Sequence, residues 1–204
     1  MVSHLPKLTH LEDLQVYNMV NGMDEDSVKG LCEIISSQPH LTTLRLPFND
    51  FTSESIEMLC ESISKLDGLT HLDLSRSAFD EASMNALGKV VSNLPILYLE
   101  LYDITWKSSG FEAFVAQLDD WCYLKSLNLS HYETISEENT TELGSELSKL
   151  TSLILLDIRC CEPDDYFILL EPLKSLPLQV LFLNAPPDCE DTETSLPLQV
   201  RCVS

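Results

Sequence analysis

Basic residues are scarce in this chain of 204. Against 33 Asp plus Glu stand 12 Lys plus Arg, a formal net charge of −21. Nucleic acid is gripped by Lys and Arg that displace condensed counterions, so the deficit argues against that partner class. It argues equally against an anionic membrane surface. No apolar run approaches the roughly 18 residues needed to span a bilayer. Met1-Val2-Ser3-His4-Leu5-Pro6 lacks the basic start and apolar core of a secretory signal. Asn128-Leu129-Ser130 and Asn139-Thr140-Thr141 match the glycosylation pattern but are read as chance. The seven cysteines are odd in number, with no C-x-x-C and no zinc-like spacing. Reduced thiols in a cytoplasmic protein fit that usage.

Chemistry is missing too. The six glycines contain no G-x-x-x-x-G-K-[ST] phosphate loop. His4, His10, His40, His71 and His131 are scattered, and none accompanies a Ser or Cys in a recognisable motif. The acidic pairs form no D-x-D-x-D-G calcium loop. Asp24-Glu25-Asp26, Asp80-Glu81, Glu137-Glu138 and Asp164-Asp165 each precede an expected helix, where carboxylates favour the positive end of the dipole. The expectation is a non-enzyme with no cofactor and no bound metal.

What the chain has is a period. Leu-x-x-Leu-x-Leu, or an aliphatic version of it, occurs seven times, with middle residues Leu14, Leu44, Leu72, Leu99, Leu127, Leu156 and Leu181. Successive intervals are 30, 28, 27, 28, 29 and 25 residues, the signature of a leucine-rich repeat solenoid. In the second copy Leu44 and Leu46 alternate with polar neighbours, as on a half-buried strand. Ile56, Leu59 and Ile63 then recur at three and four, as on one helix face, with Ser53 or Ser55 expected as its cap. The offsets of +10 and +13 from Leu46 repeat from Leu74 to Met84 and Leu87, and from Leu101 to Phe111 and Phe114. From Leu129 to Leu143 the offset is 14, which marks a one-residue insertion.

One strand–helix unit cannot bury both its apolar faces, so units stack. The expected fold is α/β: a right-handed horseshoe segment of about seven coils over 1–183, with parallel strands on the concave face and helices on the convex face. An irregular acidic cap or tail is expected over 184–204. There, Ser175-Leu176-Pro177-Leu178-Gln179-Val180 recurs verbatim from Ser195 to Val200, which offers either a shortened eighth strand near 198–203 or a disordered tail. Leu5-Pro6-Lys7-Leu8 echoes Leu94-Pro95-Ile96-Leu97, which suggests the tail of a preceding coil and hence a piece of a longer protein.

Coils of this length with a full outer helix resemble the ribonuclease-inhibitor-like class of leucine-rich repeats. Leu66-Asp67-Gly68-Leu69-Thr70-His71-Leu72-Asp73-Leu74-Ser75 and Leu124-Lys125-Ser126-Leu127-Asn128-Leu129-Ser130 carry the resemblance. Within that class the chain is similar to the C-terminal repeat region of animal nucleotide-binding, leucine-rich-repeat immune receptors. The resemblance implies Asn or Cys three residues after the last strand anchor. Asn49 and Cys161 conform, whereas Met19, Ser77, Ile104 and Tyr132 depart.

Residues that flank the buried anchors should face outward. They define a candidate partner-binding wall of His71, Asp73, Tyr98, Glu100, Tyr102, Asn128, Asp157 and Arg159. Aromatics amid acids suit a basic or amphipathic protein partner. A second, apolar patch of Leu155, Val180 and Phe182 is expected to lie under the tail. The function expected is a protein-interaction module, the ligand-sensing or autoinhibitory region of an intracellular immune receptor. The alternatives are a free-standing acidic inhibitor or scaffold of a basic protein, and a GTPase-activating repeat protein.

Overall fold

The computed structural model describes residues 10–17, 23–107, 109–130, 137–159, 166–184 and 199–203. Short strands and outer helices alternate along it. The order is β1 (Asp13–Gln15), α1 (Glu25–Ser36), β2 (Thr43–Arg45), α2 (Ser53–Ile63), β3 (His71–Asp73), β4 (Ala78–Phe79), α3 (Glu81–Asn93), β5 (Tyr98–Glu100) and β6 (Thr105–Trp106). It continues with α4 (Gly110–Gln117), a 3-10 turn (Leu118–Asp120), β7 (Ser126–Asn128), α5 (Glu137–Leu147), β8 (Leu155–Asp157), α6 (Tyr166–Leu173), β9 (Val180–Asn184) and β10 (Gln199–Val203).

The main sheet is parallel, in the order β1-β2-β3-β5-β7-β8-β9-β10, and β4 pairs with β6 in a small second sheet. Every middle anchor opposes the next: Leu14, Leu44, Leu72, Leu99, Leu127, Leu156 and Leu181 form one continuous row. Parallel neighbours joined by a helix are what a solenoid coil requires. β10 extends the sheet beside β9, with Gln199 opposite Val180. The paired residues are therefore 19 apart, one fewer than the spacing of the verbatim repeat.

The anchors are the core. Leu44, Leu46, Leu72, Leu74, Leu99, Leu101, Leu127 and Leu129 are at most 1% exposed, and each such burial stabilises the fold by about 1.5–3 kcal/mol. Ile56, Leu59, Met84, Leu87, Phe111 and Phe114 meet them from the helix side. After the insertion, Leu143 and Leu147 do the same in α5. The first coil is less sealed, for Leu11, Leu14 and Val16 are only partly buried.

Two of the acidic clusters supply helix caps, through Asp24 and Asp80. Asp24 accepts from Ser27 N at 2.9 Å, and the Ser27 hydroxyl, together with this hydrogen bond, holds its carboxyl below the usual range. Asp80 and Ser83 form a reciprocal capping box, at 3.0 and 2.9 Å. At α2 the cap is Thr52, not Ser53 or Ser55: Thr52 Oγ1 accepts from Ser55 N at 3.3 Å. Ser53 is the first helical residue and is buried. Glu137 and Glu138 open α5, while Asp164 and Asp165 lie outside the described residues.

The convex layer is uneven. Helices α1, α2, α3 and α4 pack side by side in sequence, and α5 packs on α6, but α4 lies against α5 only in part. The 3-10 turn that follows the short α4 and the buried Trp121 ring, edge-on to Phe114, occupy that place.

Candidate functional site

The wall is set by alternation within three-residue strands. Each strand turns its middle leucine inward, so the two flanking residues face the concave side. Register then aligns them in two rows. One runs Asp13, Thr43, His71, Tyr98, Ser126, Leu155 and Val180; the other runs Gln15, Arg45, Asp73, Glu100, Asn128, Asp157 and Phe182.

Four of the expected site residues meet at the centre. The His71 and Tyr98 rings stack at 4.2 Å with 9° between planes. Tyr98 is 39% exposed and Thr70 Oγ1 lies 2.8 Å from His71 Nδ1. Burial pulls the His71 pKa down and the Arg45 charge assists, against Asp13. Asp73 and Glu100 stand beside this pair, on adjacent strands. Burial pushes both carboxyls up, opposed at Asp73 by hydrogen bonds from Ser75 and at Glu100 by one from Asn128. The Asp73 and Asp157 charges push Glu100 further. An acid whose folded pKa is raised binds its proton more tightly in the fold. These two carboxylates therefore subtract stability at neutral pH, and the loss is relieved as pH falls through their raised values.

The other four are arranged differently. Tyr102 lies past the end of β5, with its ring 6.3 Å from Phe48 rather than on Tyr98. Asn128 Oδ1 accepts from Ser130 N and Oγ, and Asn128 Nδ2 donates to Glu100 Oε2 at 2.7 Å. Asp157 is buried, at 4% exposure, and takes the Arg159 guanidinium through both its oxygens, at 2.9 and 2.6 Å. Arg159 in turn lies over the Phe182 ring at 5.4 Å. One structural habit explains three of these residues. Asp73, Asn128 and Asp157 each accept the backbone N–H two residues on, from Ser75, Ser130 and Arg159. They close the strand exit as Asx turns while also facing the wall.

A cluster the sequence analysis did not foresee lies at those exits. Phe48, Arg76 and Asp103, each two residues past the last anchor, have φ of 60°, 57° and 53°. This left-handed region disfavours side chains other than Gly, Asn and Asp. Arg76 lies over the Phe48 ring at 5.4 Å, 3.4 Å from Asp103 and 3.9 Å from Asp50. A cleft of about 210 Å³ opens there, with Ser77 and Thr105 in its lining. No glycine advertises these turns; Asp103 is of a type that tolerates the region, whereas Phe48 and Arg76 carry no local signal for it.

Other features offer less. Among the described residues no group of three His, Cys, Asp or Glu is placed to hold a metal ion, and no helix is long and apolar enough to cross a membrane. Cys32, Cys60 and Cys122 are free thiols; burial pushes Cys60 up to about 12, so it stays protonated.

No protein-family model matches the sequence, and no curated protein matches it. Solved structures do. The tropomodulin C-terminal domain of Caenorhabditis elegans superposes with a TM-score of 0.53 at 12% identity, over 85% of this chain and 89% of that one. The actin-binding site 2 of leiomodin-1 gives 0.49 at 8% identity, over 85% and 86%. An internalin of Listeria monocytogenes gives 0.48 at 19% identity, over 90% and 50%. At such identities the likeness is one of backbone path. The tropomodulin superposition agrees with the strand order in defining the class, a leucine-rich repeat solenoid.

Proposed function

We propose that this protein is a non-enzymatic interaction module that docks a protein partner on its concave wall. The observation that carries the reading is the in-register sheet, which sets a half-buried acid pair, Asp73 and Glu100, beside the stacked His71–Tyr98 rings. Aromatic surface desolvates well, and acids kept at a cost to stability gain from a cationic partner. Tyr102 carries the footprint toward Phe48 and Arg76 at the strand exits. Asp157 and Arg159, already paired, serve as its floor rather than as contacts.

Affinity capture with the wild-type chain and with Tyr98→Ala/Tyr102→Ala as baits tests the wall. Proteins retained by the first and lost from the second, at unchanged circular dichroism, are the expected result. Equal retention rejects it.

The finer reading is a ligand-sensing or autoinhibitory region of an intracellular immune receptor. The repeat phrases around Leu72 and Leu127 support it, together with the Asn49 side chain in its exit turn. A phosphate-binding loop encoded in the same transcript is the expected finding. A transcript without one removes the receptor placement and leaves the docking wall untouched.

A further inference from the structure

We infer that the centre of the wall receives a cationic α-helix laid across the strands, with two basic side chains one turn apart facing Asp73 and Glu100. This rests on the docking function proposed above and supplies the partner's chemistry.

Asp73 and Glu100 are direct neighbours in the ladder. Their strands are about 4.8 Å apart, and like charges so placed destabilise a sheet. Arg76 is committed to Asp50 and Asp103, and Arg159 to Asp157. Arg45, opposite Asp73 on the next strand, pairs with Asp13 and offsets the two acids only in part, since burial still holds both carboxyls up. Asp73 meets Ser75 through Oδ1, and Glu100 meets Asn128 through Oε2. A carboxylate has about four lone-pair sites, so each can also accept from a cation.

The spacing selects a helix. Side chains at i and i+4 stand on one face with Cβ atoms about 5–6 Å apart, close to the distance between strands. On an extended peptide the residues of one face are about 6.6 Å apart and fall out of step. Backbone supply points the same way. Asn128 spends its polar groups on its own strand exit and on Glu100, and Asp157 spends its own on Arg159, so the wall has little to give an incoming main chain. An occupant must bring its own backbone hydrogen bonds, as a helix does. The His71–Tyr98 stack, one row over, is a flat platform for the methylene stems of Lys or Arg.

Anisotropy titrations with labelled alanine-rich peptides test this. One peptide carries Arg at i and i+4, a second carries the same pair at i and i+2, and a third has the first spacing but a central Pro. The first should bind at least about tenfold more tightly than the others, and less so as salt rises. Asp73→Asn with Glu100→Gln should lower that affinity by at least about tenfold. The Asn retains the strand-exit acceptor, as Asn128 shows, so the fold is kept. Absent or equal binding by the three peptides overturns the helix, and indifference to the double variant overturns the site. If partner capture still depends on Tyr98 and Tyr102 in either case, the wall stands and only the helix is lost.

Discussion

The second coil and the two that follow it solve one problem in two ways. Each must bend the chain sharply where the strand ends, and each does so through a left-handed residue. In the second coil a side chain fills the inside of the bend. Asn49, fully buried, donates from Nδ2 to the carbonyls of Val16, Leu46 and Pro47 at 2.7, 3.0 and 3.3 Å. The equivalent Ser77 and Ile104 make no such bonds. There the backbone forms the β4–β6 ladder, with Thr105 N on Ser77 O at 3.0 Å and Lys107 N on Phe79 O. Those bonds serve Ser77 O and Phe79 O, further along the chain than the strand-end carbonyls that Asn49 serves, so the small ladder braces the exit by main chain where the second coil uses an amide side chain. The repeat therefore tolerates Ser and Ile where the resemblance implies Asn or Cys.

The comparison can be broken at its most rigid point. A Cβ on Gly110 would stand 2.3 Å from the Phe79 carbonyl oxygen, a backbone atom of the small ladder. Gly110→Ala should cost about 3 kcal/mol, the upper end of ordinary overpacking, in urea denaturation. Asn49→Ala comes next. It strips buried carbonyls of their donor and should cost about 2 kcal/mol, read from the same titration at unchanged m-value. Arg76→Ala keeps the left-handed demand on a side chain but removes exposed ion pairs and a cation–π contact, worth together about 0.5–1 kcal/mol. High salt should shrink that loss. Ser77→Ala sharpens the contrast most, because the Ser77 hydroxyl is buried with no hydrogen-bond partner. Its effect should stay within about 0.5 kcal/mol. A loss as large as that of Asn49→Ala would show both coils to depend on side-chain bonds after all.

These exits also mark where the sequence stops being legible. The anchors announce themselves because a parallel ladder repeats one chemical requirement at each coil, and Leu72, Leu99 and Leu127 have no alternative face. The outward rows follow from them by alternation, so the sequence sets His71 beside Tyr98 and Asp73 beside Glu100, as the ladder does. Alternation gives direction but not engagement. It cannot tell that Asp157 turns its carboxylate to Arg159, two residues away, or that Tyr102 leaves the strand for Phe48. The acids at Asp24 and Asp80 are legible as dipole partners, but that each caps its helix by accepting from a Ser three residues on emerges only in the structure. At α2, where Ser and Thr crowd the start, the expected cap is Ser53 or Ser55 and the actual one is Thr52.

The partial contact between α4 and α5 has a mechanical consequence. A curved strip is stiff where its outer layer is tightly joined and softer where that joint is loose. Here the inner hydrogen bonds run on unbroken, from Leu101 N to Asn128 O at 2.9 Å and from Leu129 N to Asp157 O at 2.8 Å. Bending of the strip should therefore be easiest at this seam, between the bank that bears Tyr98 and the bank that bears Phe182. Faster hydrogen exchange in α5 than in α3 would be its signature.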